Sequence, residues 1–131
     1  MTRPSVHVIW LALLILAAAS CAPQPTTLTV GAAQSGASID LRVGDTLAVA
    51  LESNPSTGFD WVLIGPTAPA LDGGQRTYAS SGTALGAAGT VTYRFRAVAE
   101  GTTRLVIHYL RSWESLPPER TFELTVRVSR G

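Results

Sequence analysis

Thr90-Val91-Thr92-Tyr93-Arg94-Phe95-Arg96-Ala97 decides the fold class of this chain. Val91, Tyr93, Phe95 and Ala97 fall on one side of the run, and Thr90, Thr92, Arg94 and Arg96 on the other. A period of two is the mark of a strand with one buried face and one wet face. Two later runs repeat the pattern. Thr103, Leu105, Ile107 and Tyr109 oppose Arg104, Val106 and His108, and Phe122, Leu124, Val126 and Val128 oppose Glu123, Thr125 and Arg127. Earlier candidates cover 28–30, 39–43, 46–52 and 59–64, with a weaker one at 76–79. Seven or eight short strands separated by Gly, Pro, Asn and Asp, with no helical stripe after the leader, predict an all-β, two-sheet antiparallel sandwich. Loops gather at the two ends of a sandwich, so turns distant in sequence can share one rim.

The segment ahead of the first candidate strand has a different character. Met1-Thr2-Arg3 carries a positive charge, an almost unbroken apolar run follows from Val8 to Ala19, and Ala18-Ala19-Ser20 closes it with small residues. That run is shorter than the roughly 20 residues of a membrane span, so 1–20 is expected to be an export signal. The only cysteine, Cys21, follows directly, and Ala18-Ala19-Ser20-Cys21 resembles the lipobox of bacterial lipoproteins, although Ala18 stands where that motif usually has Leu. The resemblance implies that Cys21 carries a lipid, that 21–27 forms a short Pro-containing tether, and that 28–131 is the folded domain. It also implies an exported protein anchored to the bacterial envelope membrane, at the outer membrane if there are two, since Ala22 rather than Asp follows the cysteine. The other reading is an ordinary signal peptide cut near Ser20, leaving a free thiol.

Charge excludes several functions. All ten basic residues are Arg. Without Arg3, nine Arg meet nine Asp plus Glu. A neutral domain has no broad basic face for nucleic acid. The lack of Lys removes Schiff-base chemistry and a phosphate-loop lysine. His108 is the only histidine after the leader and Cys21 is terminal, so no Cys-His pair falls within the domain, and no cluster has metal-ligand spacing. No metal, no cofactor and no catalysis are expected, and a neutral sandwich on a tether is expected to be a monomer.

Binding is read from the octet Asn54-Pro55-Ser56-Thr57-Gly58-Phe59-Asp60-Trp61. Pro55 sets φ near −65°, Gly58 permits positive φ, and Asn54, Ser56 and Thr57 can bond nearby backbone, so the loop can hold one shape without a core beneath it. Leu85-Gly86-Ala87-Ala88-Gly89-Thr90 and Leu110-Arg111-Ser112-Trp113-Glu114 share its character. Trp61 follows the loop into a strand and is expected in the core. Phe59 either anchors the loop base or touches a partner. Trp113, between Arg111 and Glu114 at a hairpin tip, is placed as interface anchors are.

Asn54-Pro55-Ser56-Thr57-Gly58-Phe59 with Trp61 resembles the Asn-Pro-Thr-Thr-Gly-Tyr/Phe motif of the chagasin-like inhibitors of papain-like cysteine proteases. Gly86-Ala87-Ala88-Gly89 resembles that family's Gly-rich motif, and Arg111-Ser112-Trp113 its Arg-Pro-Trp motif. The resemblance covers about Leu28 to Val128. It implies an immunoglobulin-like sandwich whose three loops plug the active-site cleft reversibly. Thr57 would lie nearest the catalytic Cys and His, 86–89 would pair along the substrate side, Trp113 would stack beyond the His, and Arg111 would reach the rim. Ser56 and Ser112 depart from the motifs; Ser112 replaces a Pro that would pre-set the backbone beside Trp113. The rival reading is an envelope lipoprotein serving adhesion, assembly or carbohydrate binding.

Overall fold

The computed structural model describes residues 24–130. The expected leader and Cys21 lie outside the described residues. Eight strands form the fold: β1 (Thr27–Val30), β2 (Ser38–Arg42), β3 (Thr46–Ser53), β4 (Asp60–Ile64), β5 (Leu71–Ser80), β6 (Gly89–Ala97), β7 (Gly101–Leu110) and β8 (Arg120–Ser129). They make two four-stranded sheets, ordered β1-β3-β6-β5 and β2-β8-β7-β4. This is the expected all-β sandwich.

Alternation finds the core correctly. Val91, Tyr93, Phe95 and Ala97 of β6, Leu105, Ile107 and Tyr109 of β7, and Phe122, Leu124, Val126 and Val128 of β8 are all buried in one cluster. Leu47, Val49 and Leu51 of β3 complete it from the first sheet. Each fully buried side chain of this size contributes about 1.5–3 kcal/mol. Two polar groups tie the layers near the loops: the Trp61 indole Nε1 donates to the Glu52 carbonyl at 2.9 Å, and the Tyr93 hydroxyl donates to the Trp61 carbonyl at 2.7 Å. Trp61 is thus a core residue, as expected, with its ring 4.8 Å from that of Tyr109.

Two features go beyond the sequence reading. Each sheet is antiparallel except for one edge pair, β1 with β3 and β2 with β8, which run parallel. After β1 the chain crosses to the other sheet for β2 and then crosses back, which returns β3 beside β1 pointing the same way. Alternation reports faces, not neighbours. The weak segment at 76–79 is in fact part of a ten-residue strand, β5, whose pattern is broken by a register shift between Gly73 and Gln75.

Register places the loops. Ser53 ends β3 and Ser80 ends β5, and both pair with Gly89, where β6 begins. Asp60 begins β4 and pairs with Leu110, which ends β7. The connections 54–59, 81–88 and 111–119 therefore leave the sandwich at one pole. Thr27 pairs with Thr46 at the other pole, where the buried Asp45 carboxylate accepts hydrogen bonds from the Thr26 and Arg42 amides, each at 2.9 Å.

Candidate functional site: three loops at one pole

The loop after β3 builds itself from its own side chains. Pro55–Thr57 forms one short 3-10 turn, with Asn54 as its N-cap and Gly58 as its C-cap. Asn54 Oδ1 accepts from the Ser56 amide at 3.2 Å and from the Ser56 hydroxyl at 2.6 Å. The Thr57 hydroxyl donates to the Asn54 carbonyl at 2.7 Å. Gly58 closes the turn at φ 79°, a left-handed conformation that side chains with a Cβ resist. Positive φ at Gly58 was the sequence expectation.

The base of this loop is clamped by the third one. Phe59 stacks on Tyr109, with centroids 5.2 Å apart, and the Arg111 guanidinium lies 4.3 Å above the Phe59 ring centre. Of the two readings open for Phe59, the geometry places it at the loop base. Arg111 Nε donates to the Thr57 carbonyl at 3.0 Å, and another guanidinium nitrogen pairs with Glu114 at 3.1 Å. Arg111 thus binds the two loops together. A turn closed by the Glu114 amide on the Arg111 carbonyl at 3.1 Å puts Ser112 and Trp113 at its two central positions. The Trp113 ring lies over Gly58.

The middle loop flanks the first. Gly86, at φ 77°, sits beside the Ser56 side chain. Gly89 is different: it is the buried first residue of β6, covered by Tyr78, while Gly86 is exposed and Ala87 and Ala88 are partly so. The structure therefore gathers 54–58, 86–88 and 111–113 into one surface, with Phe59 and Gly89 supporting it from below.

That surface is unusually apolar. Leu85 is fully exposed, Trp113 is 70% exposed and Leu116 is 68% exposed, whereas no other large hydrophobic among the described residues exceeds 43%. All three lie on connections that leave the sandwich at this pole. Leu116 was missed by the sequence reading; its signal is a lone leucine before Pro117-Pro118 in a polar connection. Arg111 and Glu114 form an ion pair there, at 3.1 Å.

A model of the chagasin family of peptidase inhibitors matches residues 40–126. The chain belongs to the chagasin family. Chagasin from Trypanosoma cruzi is 32% identical over 86 residues, which cover 62% of this chain and 78% of that one. A cysteine protease inhibitor from Entamoeba histolytica has a similar structure, with a TM-score of 0.74 and 22% identity, covering 82% of this chain and all of its own. An inhibitor solved in complex with falcipain-2 superposes with a TM-score of 0.54 and 20% identity, over 82% of this chain and 93% of that one. At these identities the two structures bear on the fold alone. Membership in a chagasin-family inhibitor lineage makes this chain an inhibitor, not an enzyme. The chagasin-family match spans all three loops.

Proposed function

We propose that this chagasin-family protein reversibly inhibits papain-like cysteine proteases by inserting its three-loop pole into the active-site cleft. The observation that carries the reading is the joining of the first and third loops through Arg111 and the Trp113–Gly58 contact, with Gly86 of the middle loop set beside Ser56. In this reading Asn54, Pro55, Ser56, Thr57, Gly58 and Phe59 form the central turn, with Thr57 nearest the protease's catalytic Cys and His. Gly86, Ala87 and Ala88 run along the substrate side, with Gly89 buried beneath them. Trp113 stacks beyond the His, with Arg111 and Ser112 shaping its approach.

The physical basis is prior ordering. A turn already held by its own hydrogen bonds loses little conformational entropy on docking, so more of the contact energy appears as affinity. Its peptide bonds are locked in a 3-10 turn rather than extended across a nucleophile, so the cleft is filled without a cleavage step. The family's description as peptidase inhibitors supports a protease as partner. One monomer would block one protease. The chain from Ala22 to Gly131, titrated against papain and a cathepsin, tests the reading: reversible inhibition supports it, and no inhibition at micromolar concentration overturns it.

We further propose that 1–20 is an export signal and that Cys21 carries the lipid, holding the inhibitor on the bacterial envelope through a tether that ends before Thr26, since Thr26 and Thr27 are already bound into the sandwich, at the outer membrane if two membranes are present. The lipobox-like Ala18-Ala19-Ser20-Cys21 supports this. Labelled palmitate should enter the wild type and not Cys21→Ser; equal labelling would refute it.

A further inference from the structure

We propose that Glu114 is a positioning residue of the three-loop edge: it aims Arg111 at the first loop, and so sets what fraction of the molecules holds Trp113 and the central turn in the shape that docks. The proposal rests on the inhibitor reading above. It starts from what Ser112 lacks. Ser112 and Trp113 are the central residues of the turn closed by the Glu114 amide on the Arg111 carbonyl, and a serine there leaves φ unset where a proline would fix it. Ordering the tip falls to the residues at its two ends.

Those ends meet twice. Besides the backbone closure, the Glu114 carboxylate accepts a hydrogen bond from Arg111 Nη1 at 3.1 Å. The two side chains are only 29% and 34% exposed, so the pair is partly withdrawn from water. Glu119 lines the same hollow with Phe59 and Leu116, yet among the described residues Glu114 alone has a carboxylate oxygen within 4.0 Å of the Arg111 guanidinium. A guanidinium is planar, so a partner held at one nitrogen fixes where the others point. With Nη1 on Glu114, Nε reaches the Thr57 carbonyl at 3.0 Å, and the guanidinium carbon lies 4.3 Å from the Phe59 ring centre. Two nitrogens and one face of Arg111 are thereby engaged within the molecule.

The consequence is one of population. Without the Glu114 carboxylate, the guanidinium is free to swing from Thr57 into solvent, the turn at 112–113 gains freedom, and Trp113 leaves Gly58 part of the time. A binder whose competent shape is only partly populated loses apparent affinity by that fraction, whichever enzyme it meets. A side chain that touches the protease behaves differently. Its removal costs an amount that depends on the surface opposite it.

The test measures association and dissociation rates of the Ala22–Gly131 chain with papain and cathepsins. The variants are Glu114→Ala, Glu114→Gln, Arg111→Gln and the double variant joining Arg111→Gln to Glu114→Ala. Proton chemical shifts of Gly58 in the free inhibitor are recorded beside them, since the Trp113 indole shields that residue while it lies over it. Glu114→Ala should weaken inhibition about two- to fivefold, by the same factor against each enzyme and mainly through slower association. Glu114→Gln keeps an acceptor oxygen and should recover part of the loss. Arg111→Gln gives up the Thr57 and Phe59 contacts as well and should weaken inhibition about tenfold or more. Because Glu114 acts through Arg111, the double variant should be no weaker than Arg111→Gln alone. In every weakened variant the Gly58 shifts should move toward ordinary values before any protease is added.

Losses that multiply in the double variant, or that differ among the enzymes while Gly58 keeps its wild-type shifts, would make Glu114 a contact residue and overturn the proposal. Wild-type inhibition by Glu114→Ala would overturn it too. Should Arg111→Gln lower the melting temperature, Glu114→Ala and Glu114→Gln still decide the matter. A wild type that inhibits no enzyme would remove the inhibitor reading, and the Gly58 shifts of Glu114→Ala would then say by themselves whether Glu114 holds Trp113 in place.

Discussion

The indole ring of Trp113 rests so closely over Gly58 that a Cβ at Gly58 would overlap it. Two loops separated by more than fifty residues are therefore shaped by one missing methyl group. Gly58→Ala meets two costs, the left-handed φ of 79° and the displaced indole. Strain of this kind costs about 1–3 kcal/mol. Inhibition should weaken about tenfold or more while the far-ultraviolet circular dichroism of the sandwich stays unchanged, and Trp113 fluorescence should shift. An unaltered inhibition constant and spectrum would show that the contact is dispensable.

Trp113 itself separates binding from stability. With 70% of its surface exposed, it contributes little to the core. Trp113→Ala should leave the melting temperature within a few degrees, yet cost about 2–4 kcal/mol in binding, a thirty- to thousandfold loss of affinity. Inhibition kinetics and a thermal melt on the same preparation check both halves.

Ser112 occupies the second position of the turn closed between Arg111 and Glu114. Proline is favoured there in the common turns, because its ring sets φ in advance. Ser112→Pro should stabilise the loop by about 0.4–1 kcal/mol through the unfolded chain, and tighten inhibition about two- to fivefold. A weaker inhibitor would mean that the backbone at Ser112 does not suit the ring.

At the far pole, Asp45 predicts a dependence on acid. The Thr26 amide first, then the Arg42 amide, hold its carboxylate below the ordinary value of 3.8, against the opposing effect of burial. The folded chain thus binds fewer protons than the unfolded chain as pH falls through this range. Stability from Asp45 is present above the unfolded value and is lost as pH falls through the folded one. In urea unfolding, Asp45→Asn should be less stable than wild type near neutrality, with the gap shrinking well below pH 3.8. A constant gap across that range would remove the carboxylate's charge from the explanation.

The fold was legible wherever a strand buries one face. Val91 to Ala97 and Phe122 to Val128 announce their inward residues because a period of two leaves no other arrangement that hides them together. The parallel placement of β1 beside β3 was not legible, since pairing partners leave no mark on alternation. β5 was blurred by the register shift at Gly73–Gln75, which breaks the period. At the site, Gly58 and Asn54 could be read because turn geometry demands those residue types. The inward role of Arg111 could not: a guanidinium at a hairpin tip looks the same in sequence whether it reaches a partner or the neighbouring Thr57 carbonyl. Gly89 read as part of a tip because glycine permits close approach in a strand as well as in a loop.

Parallel pairing of β1 with β3 has a practical consequence. β1 begins at Thr27 beside Thr46, and β8 ends at Ser129 beside Arg42, so the described residues begin and end at the pole opposite Trp113. Eight residues of β3, at about 3.3 Å each, keep the two poles roughly 25 Å apart. A resin, a fluorophore or a carrier domain attached next to Thr27 or Ser129 would sit at the pole away from the three loops.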